Sequence, residues 1–233
     1  MEIAGNGIDV VSGGKGGIGK SLVVMGRLDY LSSVNRDPAL LETDIANPDV
    51  GKSYKDEVSR FATLDISKND AWIDLANFIE STEKNIVVNA AAGLGTSDSV
   101  KNLGDGLAEL GRDLRMFWVL NTQRDGLILL KSFLDVINDI DRIKIFVIRN
   151  GYFGDPGDFK LFNSELQERV LARGGKVLDF PALSSRCVDP LYVERLSIAR
   201  AIESFPFGSR LELKRWRSRV HEMFSSIEIE KED

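Results

Sequence analysis

Apolar residues along the 233-residue chain fall in short runs that alternate with amphipathic stretches. Seven runs have the length of strands and too few polar positions to leave one face in water, which is typical of buried parallel strands. These runs are Ile8–Val11, Ala39–Thr43, Ser59–Leu64, Asn85–Asn89, Met116–Leu120, Lys144–Ile148 and Lys176–Phe180. Helical spacing is found near residues 20–32, 69–81, 98–111, 124–138, 157–172 and 187–203. The alternation predicts an α/β fold, a mostly parallel twisted sheet of about seven strands with helices on both faces.

The end of the chain has a different pattern. The turn-like segment FPFG at 205–208 divides a predicted domain of residues 1–205 from a C-terminal amphipathic helix and acidic tail at 206–233. Ser209 and Glu212 have the spacing of a capping box, so we expect the helix to begin there. Its narrow apolar stripe consists of Leu213, Trp216, Val220, Met223, Phe224 and Ile227, and its flanking cations are Arg210, Lys214, Arg215, Arg217 and Arg219.

Three arrangements fit this basic helix. It can lie on an anionic membrane, contact DNA phosphates, or dock on the domain with its cations as a solvated rim. Docking is favoured, because the stripe spans few turns and packed terminal helices are the commoner case.

Composition and charge narrow the class of protein. Hydrophobic residues make up 43% and charged residues 28% of the chain, and the net charge of −6 argues against a protein coated in nucleic acid. The single cysteine, Cys187, is expected in the core and excludes an intramolecular disulfide. The single histidine, His221, has no partner pattern and is expected at the surface. With no secretory signal in MEIAGNGIDV and no run long enough to span a bilayer, we expect a cytoplasmic protein.

The segment SGGKGGIGKS at 12–21 carries the strongest motif. It fits G-x-x-x-x-G-K-[ST] through Gly14, Lys15, Gly16, Gly17, Ile18, Gly19, Lys20 and Ser21. Glycines allow the backbone N–H groups to turn inward around phosphate oxygens, and the following helix start adds its positive dipole end. We expect Lys20 to reach the β- and γ-phosphates and the Ser21 hydroxyl to ligate Mg²⁺. A merely flexible glycine loop is disfavoured, because a strand precedes the motif and a helix follows it.

The second lysine of the loop adds a family resemblance. K-G-G-x-G-K-S resembles the deviant Walker A motif of the ParA/MinD family of P-loop ATPases. The resemblance implies a three-layer α/β/α P-loop fold, bound ATP or ADP with Mg²⁺, and an ATP-dependent homodimer. In that dimer Lys15 would contact the phosphates held by the partner subunit, coupling assembly to hydrolysis. The alternative is that Lys15 is a solvated loop lysine.

Two later segments resemble the family's switch regions. Glu42 and Asp44 stand where family members have D-x-D, and the resemblance implies that Asp44 positions the attacking water and, with Ser21, belongs to the metal site. Alternatively Asp44 caps the helix beginning near Pro48, although Asn47 would serve as well.

The segment 86–93 resembles the Walker B strand and switch II, with Gly93 near the γ-phosphate and loop 93–98 as its sensor. Asn89 replaces the family's aspartate. We therefore expect a less firmly held metal and slower hydrolysis, because an amide brings no negative charge.

The base pocket is predicted at the ends of two further strands. The resemblance implies that Arg149 or Asn150 contacts the adenine, with the choice open by one position, and that Pro181 closes the other side. Each of these positions can also be an ordinary loop residue.

Three functions remain open. The first is a dimerising ATP switch with weak ATPase activity. The second is a nucleotide-binding docking protein without turnover, favoured by Asn89. The third, ranked low, is a small-molecule kinase or synthetase. LNTQRDGLILL, IRNGYFGDPGDF and LDFPALSSR resemble ParA-type proteins of plasmid mobilisation and conjugation (TraL- or MobD-like). This implies a protein partner from DNA-processing or partition machinery, with non-specific DNA or a membrane surface as further candidate partners.

Overall fold

One parallel sheet organises the molecule. The computed structural model describes residues 7–45, 48–65, 68, 70–91 and 97–228, with the backbone only for 97–102. The strands are β1 (Ile8–Gly13), β2 (Ala39–Glu42), β3 (Arg60–Thr63), β4 (Ile86–Asn89), β5 (Leu114–Leu120), β6 (Ile143–Asn150) and β7 (Lys176–Phe180). They lie in the order β3-β2-β4-β1-β5-β6-β7, and each neighbouring pair is parallel. The predicted α/β sheet is confirmed.

Helices cover both faces of the sheet. They are α1 (Lys20–Ser33), α2 (Asp49–Tyr54), α3 (Ala71–Glu80), α4 (Ser97–Glu109), α5 (Arg124–Val136), α6 (Glu165–Ala172), α7 (Ser185–Val193), α8 (Ile198–Ser204) and α9 (Phe207–Ser225). Because strand side chains alternate, Phe117 and Val119 pack towards α1, α2 and α7–α9, while Met116 and Trp118 pack towards α3–α6. The result is the expected three-layer α/β/α arrangement. None of the described helices is long and apolar enough to cross a membrane.

The strand order predicts where a ligand crevice lies. The chain leaves β1 for β2, β3 and β4 on one side, and β5, β6 and β7 lie on the other. Ligands of open α/β sheets bind beyond the carboxyl ends of the strands at such a switch point. The loop between β1 and α1, which carries the glycine-rich motif, starts at this point.

Two predicted helices differ in the structure. The pattern at 187–203 is not one helix but two, α7 and α8, because Arg195 takes a left-handed conformation with φ 53°. The hydroxyl of Ser197 then caps α8 by accepting a hydrogen bond from the N–H of Arg200 at 3.2 Å. The pattern at 157–172 begins as the 3₁₀ turn Pro156–Asp158, and the α-helix proper starts only at Glu165.

The C-terminal helix docks on the domain. The capping-box prediction is wrong: α9 begins at Phe207, directly after Pro206, so Ser209 already lies in the first turn. Pro206, with φ −55°, suits the entry to a helix and needs no side-chain cap. The apolar stripe is buried, including Leu213, Trp216, Val220, Phe224 and Ile227. The division of the chain at residue 205 stays a prediction.

Contacts between α9 and α1 fix the position of the terminal helix. A Cβ added to Gly26 of α1 would lie 2.9 Å from Cγ1 of Val220, so this glycine permits the close approach. The His221 side chain keeps 23% of its surface exposed, and its Nε2 lies 2.6 Å from Oδ2 of Asp29 with the ring edge-on to Tyr30. The sequence did not reveal these partners, because they lie on a helix far away in sequence. Cys187 is buried, as predicted.

A buried ion network closes the amino edge of the sheet. Asp9 in β1 is fully buried and accepts hydrogen bonds from Nε of Arg27 at 2.6 Å and Nε of Arg115 at 2.5 Å. Glu228, just after α9, accepts from both of these arginines, at 2.5 and 3.0 Å, and from Arg36 at 2.8 Å. Burial alone would raise the pKa of Glu228, but the charges of Arg27 and Arg115 outweigh it and lower the pKa to about 2.

Candidate functional site

The loop between β1 and α1 has the backbone that its glycines predict. Gly17 and Gly19 have φ values of 74° and 92°, a left-handed region that side chains disfavour. A Cβ on Gly19 would also lie 2.3 Å from Nδ2 of Asn150. A Cβ on Gly16 or Gly17 would meet no described atom within 4 Å, so the backbone here lies open to a ligand.

A cavity of about 530 Å³ opens in front of this loop, a volume in the usual range for small-molecule sites. The structure brings most of the predicted site residues to its wall: Gly16, Gly17, Gly19, Lys20, Ser21, Asp44, Asn89, Asn150 and Pro181. Residues that sequence reasoning missed complete the lining: Leu22, Asp49, Ala90, Tyr152, Phe153, Leu183, Ser185, Val188, Asp189 and Tyr192. Gly14, Lys15, Ile18 and Arg149 do not line it, and Gly93 and Asn47 lie outside the described residues.

Lys20 provides a cation at the loop end of the cavity. Its Nζ donates a hydrogen bond to the carbonyl oxygen of Lys15 at 3.0 Å. Burial lowers the pKa of Lys20, and the carboxylate of Asp44 acts in the opposite direction. A partly desolvated ammonium group beside open backbone amides favours binding of an anion such as a phosphate chain.

The donor set also bears on a divalent cation. Among the described residues, no group of three or more His, Cys, Asp or Glu side chains could hold a metal ion. Ser21 and Asp44 nevertheless line the same cavity as Lys20. A hydroxyl and a carboxylate fit Mg²⁺, which usually takes few protein ligands and completes its shell with water and phosphate oxygens.

Lys15 lies at the surface beside the cavity. Its Nζ forms an ion pair with Oδ2 of Asp125 in the first turn of α5, and the two side chains are 48% and 60% exposed. The hydrogen bond from Lys15 lowers the pKa of Asp125. The two segments touch, since a Cβ on Gly14 would lie 2.6 Å from Cα of Gly126. The loop therefore holds this lysine outside the cavity against its own chain.

The amide that replaces the expected aspartate has a carboxylate beside it. Asn89 ends β4 and is the register partner of Glu42, which ends β2. Nδ2 of Asn89 donates to Oε2 of Glu42 at 2.9 Å, and the N–H of Gly51 donates to Oε1 at 2.8 Å. Burial raises the pKa of Glu42 to about 7, against the lowering effect of these two hydrogen bonds.

Thr43 secures the end of β4 from the neighbouring strand, a role that the sequence did not reveal. Its hydroxyl donates to the carbonyl oxygen of Asn89 at 3.3 Å and accepts from the N–H of Ala91 at 2.9 Å. The threonine is buried, and its position between Glu42 and Asp44 was the available sequence signal. These bonds hold the main chain on both sides of Asn89.

The two candidates at the end of β6 have different environments. Asn150 lies at the cavity, where Nδ2 donates to the carbonyl oxygen of Ile18 at 2.9 Å and Oδ1 accepts from the N–H of Tyr152 at 3.1 Å. Arg149 instead makes a bidentate pair with Asp179, at 2.7 and 3.0 Å. Asn150 thus braces the glycine-rich loop, and Arg149 supports β7.

Part of the cavity lining is apolar or aromatic. Tyr152, Phe153 and Val188 belong to it together with Pro181. The carbonyl oxygen of Pro181 accepts a hydrogen bond from Nε1 of Trp216 at 2.8 Å, so α9 holds this wall in place. A lysine and several apolar side chains around one cavity suit a ligand with an anionic tail and a flat ring.

Comparison with known proteins identifies the class. No protein-family model matches the sequence. Protein MobD from Acidithiobacillus ferrooxidans is 41% identical over 224 residues, which cover 94% of this chain and 97% of MobD.

Solved structures share the fold. A nucleotide-binding protein from Archaeoglobus fulgidus in complex with ADP matches with a TM-score of 0.56 and 12% identity, over 87% of this chain and 93% of that protein. The septum site-determining protein MinD from Pyrococcus horikoshii, complexed with Mg-ADP, matches with a TM-score of 0.54 and 13% identity, over 96% and 99% of the two chains. The chain therefore belongs to the MobD family and has the P-loop fold of MinD.

Proposed function

We propose that this protein is an ATP-binding molecular switch, in which dimerisation is coupled to weak Mg²⁺-dependent ATP hydrolysis. One observation carries the proposal: Lys20, Ser21, Asp44 and Asn89 surround one cavity, while Lys15 is held at the surface beside it. The relationship to MobD supports a role in plasmid mobilisation, with a protein of the DNA-processing machinery as partner.

Each residue of the cavity has a role in this proposal. The loop amides and Lys20 bind the β- and γ-phosphates, and the apolar wall with Pro181 and Asn150 receives the adenine. Ser21 and Asp44 would hold Mg²⁺, which neutralises phosphate charge when bound. Asp44 also orients the attacking water.

Lys15 supplies the link between nucleotide and assembly. Its pair with Asp125 is half exposed, and exposed ion pairs contribute little to stability. The lysine can therefore leave Asp125 at little cost when a second subunit offers a phosphate. A cation that arrives only on dimerisation stabilises the charge that develops during hydrolysis.

Sedimentation with ADP and with a non-hydrolysable ATP analogue tests the switch. We expect the wild-type mass to double with the analogue alone. Lys15→Ala should bind the analogue yet stay monomeric, and Lys20→Ala should bind it at least about tenfold more weakly. Doubling by Lys15→Ala as in the wild type, or no change in the wild type, would contradict the proposal.

A nucleotide-binding docking protein without turnover is the second candidate, and Asn89 favours it. Because Asn89 is an amide, the cavity lacks the acidic side chain that the ParA/MinD family has on this strand. Phosphate release measured against Lys20→Ala decides between the two functions. Release above that variant supports the switch, while bound ATP with release equal to the variant supports the docking protein.

A further inference from the structure

We propose that Glu42 is a positioning residue of this cavity: it orients the amide of Asn89 and joins the end of β4 to the start of α2. The inference rests on the nucleotide-binding function proposed above and extends it to a residue outside the cavity wall. Glu42 is fully buried and does not itself line the cavity.

Glu42 sets the orientation of the Asn89 amide. Oε2 of Glu42 accepts a hydrogen bond from Nδ2 of Asn89 at 2.9 Å, so the NH₂ side of the amide faces Glu42. Asn89 lines the cavity, and no described residue donates a hydrogen bond to its Oδ1. Glu42 therefore leaves the carbonyl oxygen of this amide as the group that Asn89 can offer to a ligand.

Glu42 also contacts the start of α2. The other oxygen of Glu42 accepts from the N–H of Gly51 at 2.8 Å, in the first turn of that helix. A Cβ on Gly51 would lie 2.7 Å from the ring of Phe61 and 3.4 Å from Cγ of Glu42, so the helix start is closely held. Asp49 of the same turn lines the cavity. One carboxylate thus joins two walls of the site.

The orientation of the Asn89 amide decides which hydrogen bonds it can make in the cavity. Water bound to Mg²⁺ donates hydrogen bonds, so an amide oxygen at the cavity supports it and an NH₂ group does not. Some residues orient the groups around a metal ion without contacting the ion themselves. Mutation of such a residue typically lowers metal affinity about 10–100-fold. Glu42 thereby compensates in part for the carboxylate that Asn89 lacks.

An exchange of the two functional groups tests this role. Glu42→Gln keeps an acceptor for Gly51 but puts an NH₂ group opposite Asn89, which must turn its own NH₂ towards the cavity. We expect the gain in ADP affinity on adding Mg²⁺ to fall about tenfold, with Mg²⁺-free affinity unchanged within about twofold. The double variant Glu42→Gln/Asn89→Asp returns an oxygen to the cavity and should restore the gain.

Glu57→Gln is the matched control, because Glu57 pairs with Arg200 and does not line the cavity. Fluorescent ADP titrations with Mg²⁺ and with EDTA give both affinities, and amide exchange at Gly51 reports the joint to α2 without nucleotide. An unchanged Mg²⁺ gain in Glu42→Gln, or no recovery in the double variant, overturns this inference alone. Wild-type protein that binds no nucleotide overturns the proposed function as well.

Discussion

Two glutamates with largely buried side chains lie at opposite ends of the strands, Glu228 at the amino ends and Glu42 at the carboxyl ends, and their surroundings are opposite. Glu228 at the amino edge faces three arginines, and its pKa falls to about 2 because their charges outweigh burial. At the carboxyl edge, Glu42 receives its hydrogen bonds from amides, and burial raises its pKa to about 7. The carboxylates at the amino ends of the strands are paired with arginines, whereas Glu42 beside the cavity has no such cation among the described residues. Ionisable groups that are unfavourable to bury are found mostly at functional sites, and stabilising interactions elsewhere in a fold compensate for them.

Removal of the Glu228 charge should have the largest effect. Glu228→Gln leaves buried guanidinium groups short of a counter-charge, so we expect a loss of about 3–5 kcal/mol in the free energy of unfolding at pH 7. Urea unfolding measures it. Asp113→Asn, in an exposed pair with Arg142, is the control and should change stability by less than about 1 kcal/mol. If Glu228→Gln lowers the free energy of unfolding no more than the control does, the arginines do not stabilise Glu228 as the contrast with Glu42 requires.

The second test sharpens the contrast through pH. Folded Glu42 holds its proton until about pH 7, while the unfolded residue loses it near 4.5, so the folded state binds more protons between these values. The stability contributed by this group therefore falls as pH rises through that window, by about 3 kcal/mol in total. Glu228 has the opposite sign: its contribution is present above pH 4.5 and is lost as pH falls towards 2.

Unfolding curves of the wild type and Glu42→Gln from pH 4.5 to 8, in EDTA, isolate the contribution of Glu42 to the pH dependence of stability. We expect the variant to gain stability relative to the wild type as pH rises. Parallel curves across the window would show that Glu42 ionises as an ordinary carboxylate and has no special environment.

The smallest effect is expected at the exposed ion pair of the carboxyl edge. Asp125→Asn releases Lys15, so we expect dimerisation with a non-hydrolysable ATP analogue to tighten by about two- to fivefold, with the stability of the subunit unchanged. Asp135→Asn, on the same helix and paired with Arg169, is the control. Weaker dimerisation of Asp125→Asn, measured by sedimentation, would show that Asp125 assists rather than restrains this lysine.

Local signals account for what the sequence predicted. Apolar runs predict the strands, and glycines and lysines at fixed spacing predict the phosphate loop. Each of these signals lies within one short segment of the sequence. The structure adds contacts between residues far apart: Asn89 to Glu42, Asn150 to Ile18, and Trp216 to Pro181. No local pattern encodes these pairs, since they exist only after the strands are side by side.

The errors and the missed contacts have the same origin. The start of α9 was misplaced because Ser209 and Glu212 fit a capping box, whereas Pro206 ends the preceding turn and lets the helix begin earlier. His221 had no neighbour in sequence to suggest Asp29. The substitution at Asn89 was visible, but the carboxylate next to it required the register between β2 and β4.

The bond from Trp216 to Pro181 has a consequence for biosynthesis. The ribosome makes the glycine-rich loop before it makes α9, which carries the tryptophan that holds Pro181 at the cavity. A growing chain therefore lacks this contact until α9 has emerged. In the proposed function, ligand binding would therefore stabilise a chain with α9 in place more than a chain that still lacks this helix.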